Sequence, residues 1–114
     1  MASEVNFTLD QGSTFSMSCV YKDSDGNPVN LTGYTARSQA RETVEASTTL
    51  WNLVSPTGIT LGGSTGEIIL TIPATTTATY PAGKTYYYDL ELITGSTVIR
   101  LIQGQIYISP EVTR

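Results

Sequence analysis

The chain has 114 residues, ten acidic against six basic, no histidine and a net charge of −4. It lacks the clustered Lys and Arg that phosphate contacts require, which argues against a nucleic-acid partner. Only 14% of residues are charged and 39% are apolar, so Thr, Ser, Gly and Asn supply the polarity, a balance that suits pleated, half-buried surfaces better than helices.

The length fits one domain, residues 1–114, able to bury a core without staples. Val5, Phe7 and Leu9 alternate with polar residues until Gln11-Gly12-Ser13 stops the run. A second strand follows, with Phe15, Met17, Cys19 and Tyr21 sharing one parity above a mostly polar outer face. Asp23 to Pro28 is dense in turn formers. The third strand, Tyr34 to Arg41, carries Tyr34, Ala36, Ser38 and Ala40 on one face, small enough for close approach of a neighbour. A polar loop over 42–47 leads to a strand around Thr48 to Val54, broken by Ser55-Pro56-Thr57-Gly58. Ile59 to Leu61 is short and extended, 62–66 is a turn, and Glu67 to Ile72 alternates cleanly. Pro73 to Thr79 holds one helical turn between sheets.

Tyr86, Tyr88, Leu90 and Leu92 then point one way, into the core, and Tyr87, Asp89 and Glu91 the other. A Thr-Gly-Ser break and a long strand, Val98 to Ile108, complete a hairpin, with a bulge or a change of partner expected at Gly104. Seven to eight short strands at this spacing predict an all-β, antiparallel β-sandwich. In such a fold a corner tyrosine bonds to backbone, and Tyr80 or Tyr86 is placed to do so.

Chemical motifs give little purchase. Gly83-Lys84-Thr85 resembles the end of a phosphate loop, but Ala78 stands where the first glycine belongs and a strand follows instead of a helix. Asp23, Asp25 and Asn27 have calcium-loop spacing, yet Pro28 replaces the required glycine and Tyr34 the closing glutamate. Asp89 and Glu91 lie about 7 Å apart on one strand face, a separation seen in glycosidases, but with no cleft-forming insertion beside them. Cys19 is the single cysteine, excludes an intrachain disulfide and reads as a core thiol. These readings predict no enzyme, no cofactor and no metal site. Met1-Ala2-Ser3-Glu4 has no signal-peptide character and no run reaches membrane-spanning length, so a protein made in the cytoplasm, away from membranes, is expected. Asn6-Phe7-Thr8 and Asn30-Leu31-Thr32 are then chance glycosylation matches.

Certain phrases carry a resemblance: Gln11-Gly12-Ser13-Thr14-Phe15; Asp25-Gly26-Asn27-Pro28-Val29-Asn30-Leu31-Thr32-Gly33-Tyr34-Thr35-Ala36-Arg37; Pro81-Ala82-Gly83 before Tyr88-Asp89-Leu90-Glu91-Leu92; and Arg100-Leu101-Ile102-Gln103-Gly104 with Ser109-Pro110-Glu111-Val112-Thr113. Over nearly its whole length the chain resembles the small immunoglobulin-like proteins of tailed bacteriophages and prophages. It is also similar to the N-terminal domain of phage baseplate upper proteins. The resemblance implies an immunoglobulin-like sandwich and a non-enzymatic virion protein, present in multiple copies and partnered with tail, baseplate, fibre or major capsid proteins. A tail, baseplate or fibre-attachment role leads, capsid decoration is the alternative, and a host-surface carbohydrate-binding module with Tyr87 and Trp51 as stacking residues is a further one. The expected interaction surface comprises Tyr87, Asp89, Glu91 and Trp51, with Glu111, Val112 and Arg114 from a C-terminal end that, like Met1 to Glu4, is expected to lack internal partners and to order against neighbouring subunits.

Overall fold

The computed structural model describes residues 3–113. Its extended segments are β1 (Ser3–Glu4), β2 (Phe7–Asp10), β3 (Phe15–Val20), β4 (Thr35–Arg41), β5 (Trp51–Val54), β6 (Ile59–Leu61), β7 (Glu67–Ile72), β8 (Thr85–Thr94) and β9 (Thr97–Ser109). They form two sheets, β1-β9-β8-β4-β5 with β2 following β1 along the same edge of β9, and β3-β7-β6. Counted as one interrupted strand, β1 and β2 bring the total to eight. They run parallel to β9, whereas every other ladder is antiparallel.

Period-two alternation builds the core. In β8, Tyr86, Tyr88, Leu90 and Leu92 are buried while Tyr87, Asp89 and Glu91 face outward. Full burial of a leucine such as Leu90 stabilises by about 1.5–3 kcal/mol. Ala36, Ser38 and Ala40 are fully buried on β4, and Ala40 lies directly opposite Trp51, so this small-residue face leaves room for the indole. Phe7, Phe15, Trp51 and Tyr88 close a four-ring circuit linking the sheets. Successive centroids are 5.7, 6.3, 6.2 and 5.8 Å apart, within the attractive range for aromatic pairs. The β8–β9 hairpin turns on Gly95-Ser96 between paired Thr94 and Thr97, and the positive φ of Gly95, 58°, is the conformation that such a tight turn demands.

Several expectations are corrected. The bulge falls at Leu101, because Leu90 faces Ile102 while Glu91 faces Arg100. Gly104 does lie where β9 changes its edge partner, from β1 at Gln103 to β2 at Ile106; there the Val5 carbonyl presses over it, and any Cβ would collide with that oxygen. The strand expected from Thr48 begins only at Trp51, because Arg41 bonds the Ala46 carbonyl at 2.5 Å and the Ala46 N–H turns back to Thr43 at 3.1 Å, keeping 42–50 as a loop. The backbone-bonding tyrosine is Tyr88, whose hydroxyl donates to the Val5 carbonyl at 2.6 Å, in place of Tyr80 or Tyr86. Burial, and then the nearby Cys19 thiol, holds the Tyr88 phenol far above its ordinary value, so it stays protonated and donating.

Met1, Ala2 and Arg114 lie outside the described residues, but the described parts of both ends do have internal partners. Ser3 and Glu4 pair with Ile102 and Gln103, and the Glu111 N–H donates to Gln11 Oε1 at 3.0 Å. Gln11 also bonds the Tyr80 carbonyl at 2.8 Å. The helical turn α1 (Ala74–Thr77) appears where it was expected. Its fully buried Thr77 accepts from the Gly12 N–H at 3.1 Å and donates to the Ser13 carbonyl at 2.8 Å. The β2–β3 turn is thus clasped by α1, by Tyr80 and by the C-terminal segment.

Candidate interaction surface

The outer face of the larger sheet follows from strand register. Glu4, Gln103, Asp89, Gln39 and Asn52 are successive cross-strand neighbours in one row. Arg100, Glu91, Arg37 and Val54 form the next row, and Gln105, Tyr87 and Arg41 lie on the other side. Opposite charges face each other across strands, the arrangement that stabilises a pair. Arg37 Nε reaches Glu91 Oε1 at 2.7 Å, and Arg100 Nε sits between Asp89 Oδ2 at 3.7 Å and Glu91 Oε2 at 3.8 Å. Arg41 also bonds Gln39 Oε1 at 2.7 Å. A shallow depression of about 370 Å³ opens over Tyr87 and Asp89, between Gln39 and Arg41 on one side and Gln103 and Gln105 on the other.

Burial, then the Glu91 carboxylate, pushes the Asp89 carboxyl above its ordinary value, against the pull of Arg100, Arg37 and Arg41. The two carboxylates expected to share a face do so, but Arg37 and Arg100 sit against them as counter-charges. That geometry suits recognition across a flat polar face better than acid–base chemistry, which needs the carboxylates free to reach a substrate. Cys19 is half-buried, and burial raises its thiol as well, the environment of an inert thiol.

Tyr87, Asp89 and Glu91 are brought together as expected, with Tyr87 44% exposed. Trp51 is not part of this surface. It is only 3% exposed, and its indole Nε1 donates to Ser38 Oγ at 3.0 Å inside the sandwich, because the register of β5 against β4 turns it inward opposite Ala40. Glu111 is held at the β2–β3 turn, away from the row of β8 residues, and Val112 is 92% exposed beside it. Arg114 lies outside the described residues. Sequence reasoning missed Arg37, Gln39, Arg41, Arg100 and Gln103. The first three were within reach, since they occupy the parity opposite to Ala36, Ser38 and Ala40. Arg100 and Gln103 were concealed by the bulge between them.

The remaining motifs are structural. Asp23 Oδ1 accepts from the Asp25 and Asn27 N–H groups at 2.9 and 3.0 Å, an Asx-stabilised turn. Lys84 of the phosphate-loop mimic lies 3.4 Å from Glu42, and Thr85 opens β8. Among the described residues, no group of three or more His, Cys, Asp or Glu converges as metal ligands, and no helix is long and apolar enough to cross a membrane.

No protein-family model matches the chain, and no curated protein does. Among solved structures it is similar to the crystal structure of a chicken TCR, with a TM-score of 0.58 at 13% identity, over 95% of this chain and 54% of that one. The chain spans about half the length of the TCR chain. At this identity the likeness concerns the backbone alone. Together with the sheet orders, it makes the fold an immunoglobulin-like β-sandwich, with β9-β8-β4-β5 and β3-β7-β6 as its two faces. Such a backbone hosts many functions, so function has to be argued from surfaces.

Proposed function

We propose that this protein is a non-enzymatic structural component of a tailed-phage particle, acting in multiple copies through protein–protein contacts at the tail, baseplate or fibre attachment. The observation that carries this reading is the outer face of the larger sheet, where the carboxylates that could have done chemistry are matched by Arg37 and Arg100 in a broad ladder of charge pairs. A rigid face patterned in this way gives orientation and partner choice in docking. The phrases that carry the phage resemblance support the same reading: 25–37 forms a surface turn and the entry into β4, and Arg100 to Gly104 lies along β9 beside the charged rows.

Mass spectrometry of purified particles, with copy number taken against the major capsid protein, tests the proposal. A few to a few dozen copies support the tail, baseplate or fibre site. Hundreds would move the protein to capsid decoration, and absence from particles would overturn the virion reading. The carbohydrate-binding alternative loses one of its two stacking residues with the burial of Trp51. Glycan-array binding that disappears in Tyr87→Ala would restore it.

A further inference from the structure

The smaller sheet ends in an uncovered edge. In many sandwiches of this kind the first strand lies beside the second; here β1 and β2 have both gone to β9, and among the described residues β3 pairs only with β7. The ladder bonds of β3 are in phase with the Tyr21 N–H donating to the Gly66 carbonyl at 2.9 Å, so they fall on Phe15, Met17 and Cys19. By the alternation of antiparallel pairing, the N–H and C=O groups of Ser16, Ser18 and Val20 point away from β7. All three residues are exposed, Val20 by 44%.

Free edges are normally blunted by Lys, Pro, a bulge or an inward charge. β3 reads Phe-Ser-Met-Ser-Cys-Val and has none of these. The outer face behind it continues in the same character: Ile69 and Thr71 on β7 and Thr60 on β6, with Glu67 as the single charge on these strands. The opposite sheet carries Arg37, Arg41 and Arg100, together with Glu4, Asp10, Asp89 and Glu91.

We propose that β3 is a self-association edge whose occupant is β3 of a second copy, running antiparallel about a two-fold axis through Ser18. Six outward backbone groups fit this partner. Ser18 faces Ser18 of the second copy, Ser16 faces its Val20, and Val20 faces its Ser16. Each facing pair exchanges two N–H···O=C bonds, giving six in all. The small serine side chains allow close approach, no charge meets its like, and Met17 comes opposite the second copy's Cys19 on the inner face. The two three-stranded sheets then run on as one of six strands, a closed and isologous contact. This pairing stands independently of the virion reading and would hold for the protein in solution.

Sedimentation velocity over roughly 10 µM to 1 mM, the range appropriate to a small interface, reads the outcome. The expected result is a reversible monomer–dimer equilibrium that weakens at least tenfold in Ser18→Lys, which sets like charges face to face on the axis. It should be unchanged in Thr60→Lys on the far edge. A monomer throughout, a dimer indifferent to Ser18→Lys, or open-ended association would overturn the proposal. Should circular dichroism show that Ser18→Lys does not fold, amide exchange on the unmodified protein decides. The Ser16, Ser18 and Val20 amides must slow as concentration rises, and rates independent of concentration refute the pairing.

Discussion

Ser38 shows how one small polar side chain can hold two elements together. It is fully buried; its hydroxyl accepts from the Trp51 indole at 3.0 Å and donates to the Asp89 carbonyl at 2.6 Å. An alanine would leave the buried indole N–H without its partner and take away a second donor from the Asp89 carbonyl, at a cost of about 1–3 kcal/mol. Urea unfolding followed by Trp51 fluorescence should therefore give a lower midpoint for Ser38→Ala with an unchanged slope. Asp89 makes the opposite kind of prediction. Its folded-state carboxyl is raised, chiefly by burial, so the folded protein holds that proton more tightly than the unfolded chain. Ionisation then costs stability as pH rises from the ordinary aspartate value through the raised one, and the full cost applies above it. At neutral pH, Asp89→Asn should melt no lower than the parent protein, and the parent should close the difference as pH falls through the carboxylate range. At this scale the sequence was legible where parity was long and clean, as in β8. It misled at Trp51, because β5 is only four residues long and the apolar Leu50 and Val54 lie on the parity opposite to Trp51 and Leu53, so hydrophobicity favours neither face.

Among the elements, β9 carries the most structure and was the hardest to anticipate. The extra residue at Leu101 reverses its parity, so the outward side chains are Arg100 before the bulge and Gln103 after it. A simple period-two reading of 98–108 gets one half wrong, whichever face it begins on. The glycine signal was real, and a contact lies behind it: Gly104 is bare because the Val5 carbonyl lies over it, where Tyr88 also donates to that carbonyl. Gly104→Ala should destabilise by about 1–3 kcal/mol, the usual cost of overpacking. Amide exchange should show the loss concentrated at Val5, the donor to the Gln103 carbonyl at 2.9 Å, with β3 and β7 little affected. β1 could not have been read in advance. It is two polar residues whose strand character comes entirely from β9, and tertiary pairing of this kind leaves no local signature.

The molecule as a whole measures 44 × 28 × 22 Å and has two unlike faces, one ruled with charge pairs and one nearly uncharged with an open edge. Composition and alternation led correctly to an antiparallel β-sandwich, because strand count and turn spacing are written along the chain; its immunoglobulin-like character was expected from the resemblance alone. The contrast between the faces was not legible, since it depends on which strand lies beside which. The parallel course of β1 and β2 along β9, four paired positions in β2 and two in β1, bears on how the fold answers to force. Tension applied through the two ends drags these strands past β9 lengthwise, so their cross-strand bonds, set across the pull, must yield together and cannot peel one after another. Single-molecule pulling through the ends should give one abrupt rupture, and Asn6→Ala, which deletes the side-chain bond to the Gln105 N–H at 2.9 Å, should lower its force. A thread entering beside β9 and leaving beyond its far end makes the domain a link that tightens in shear.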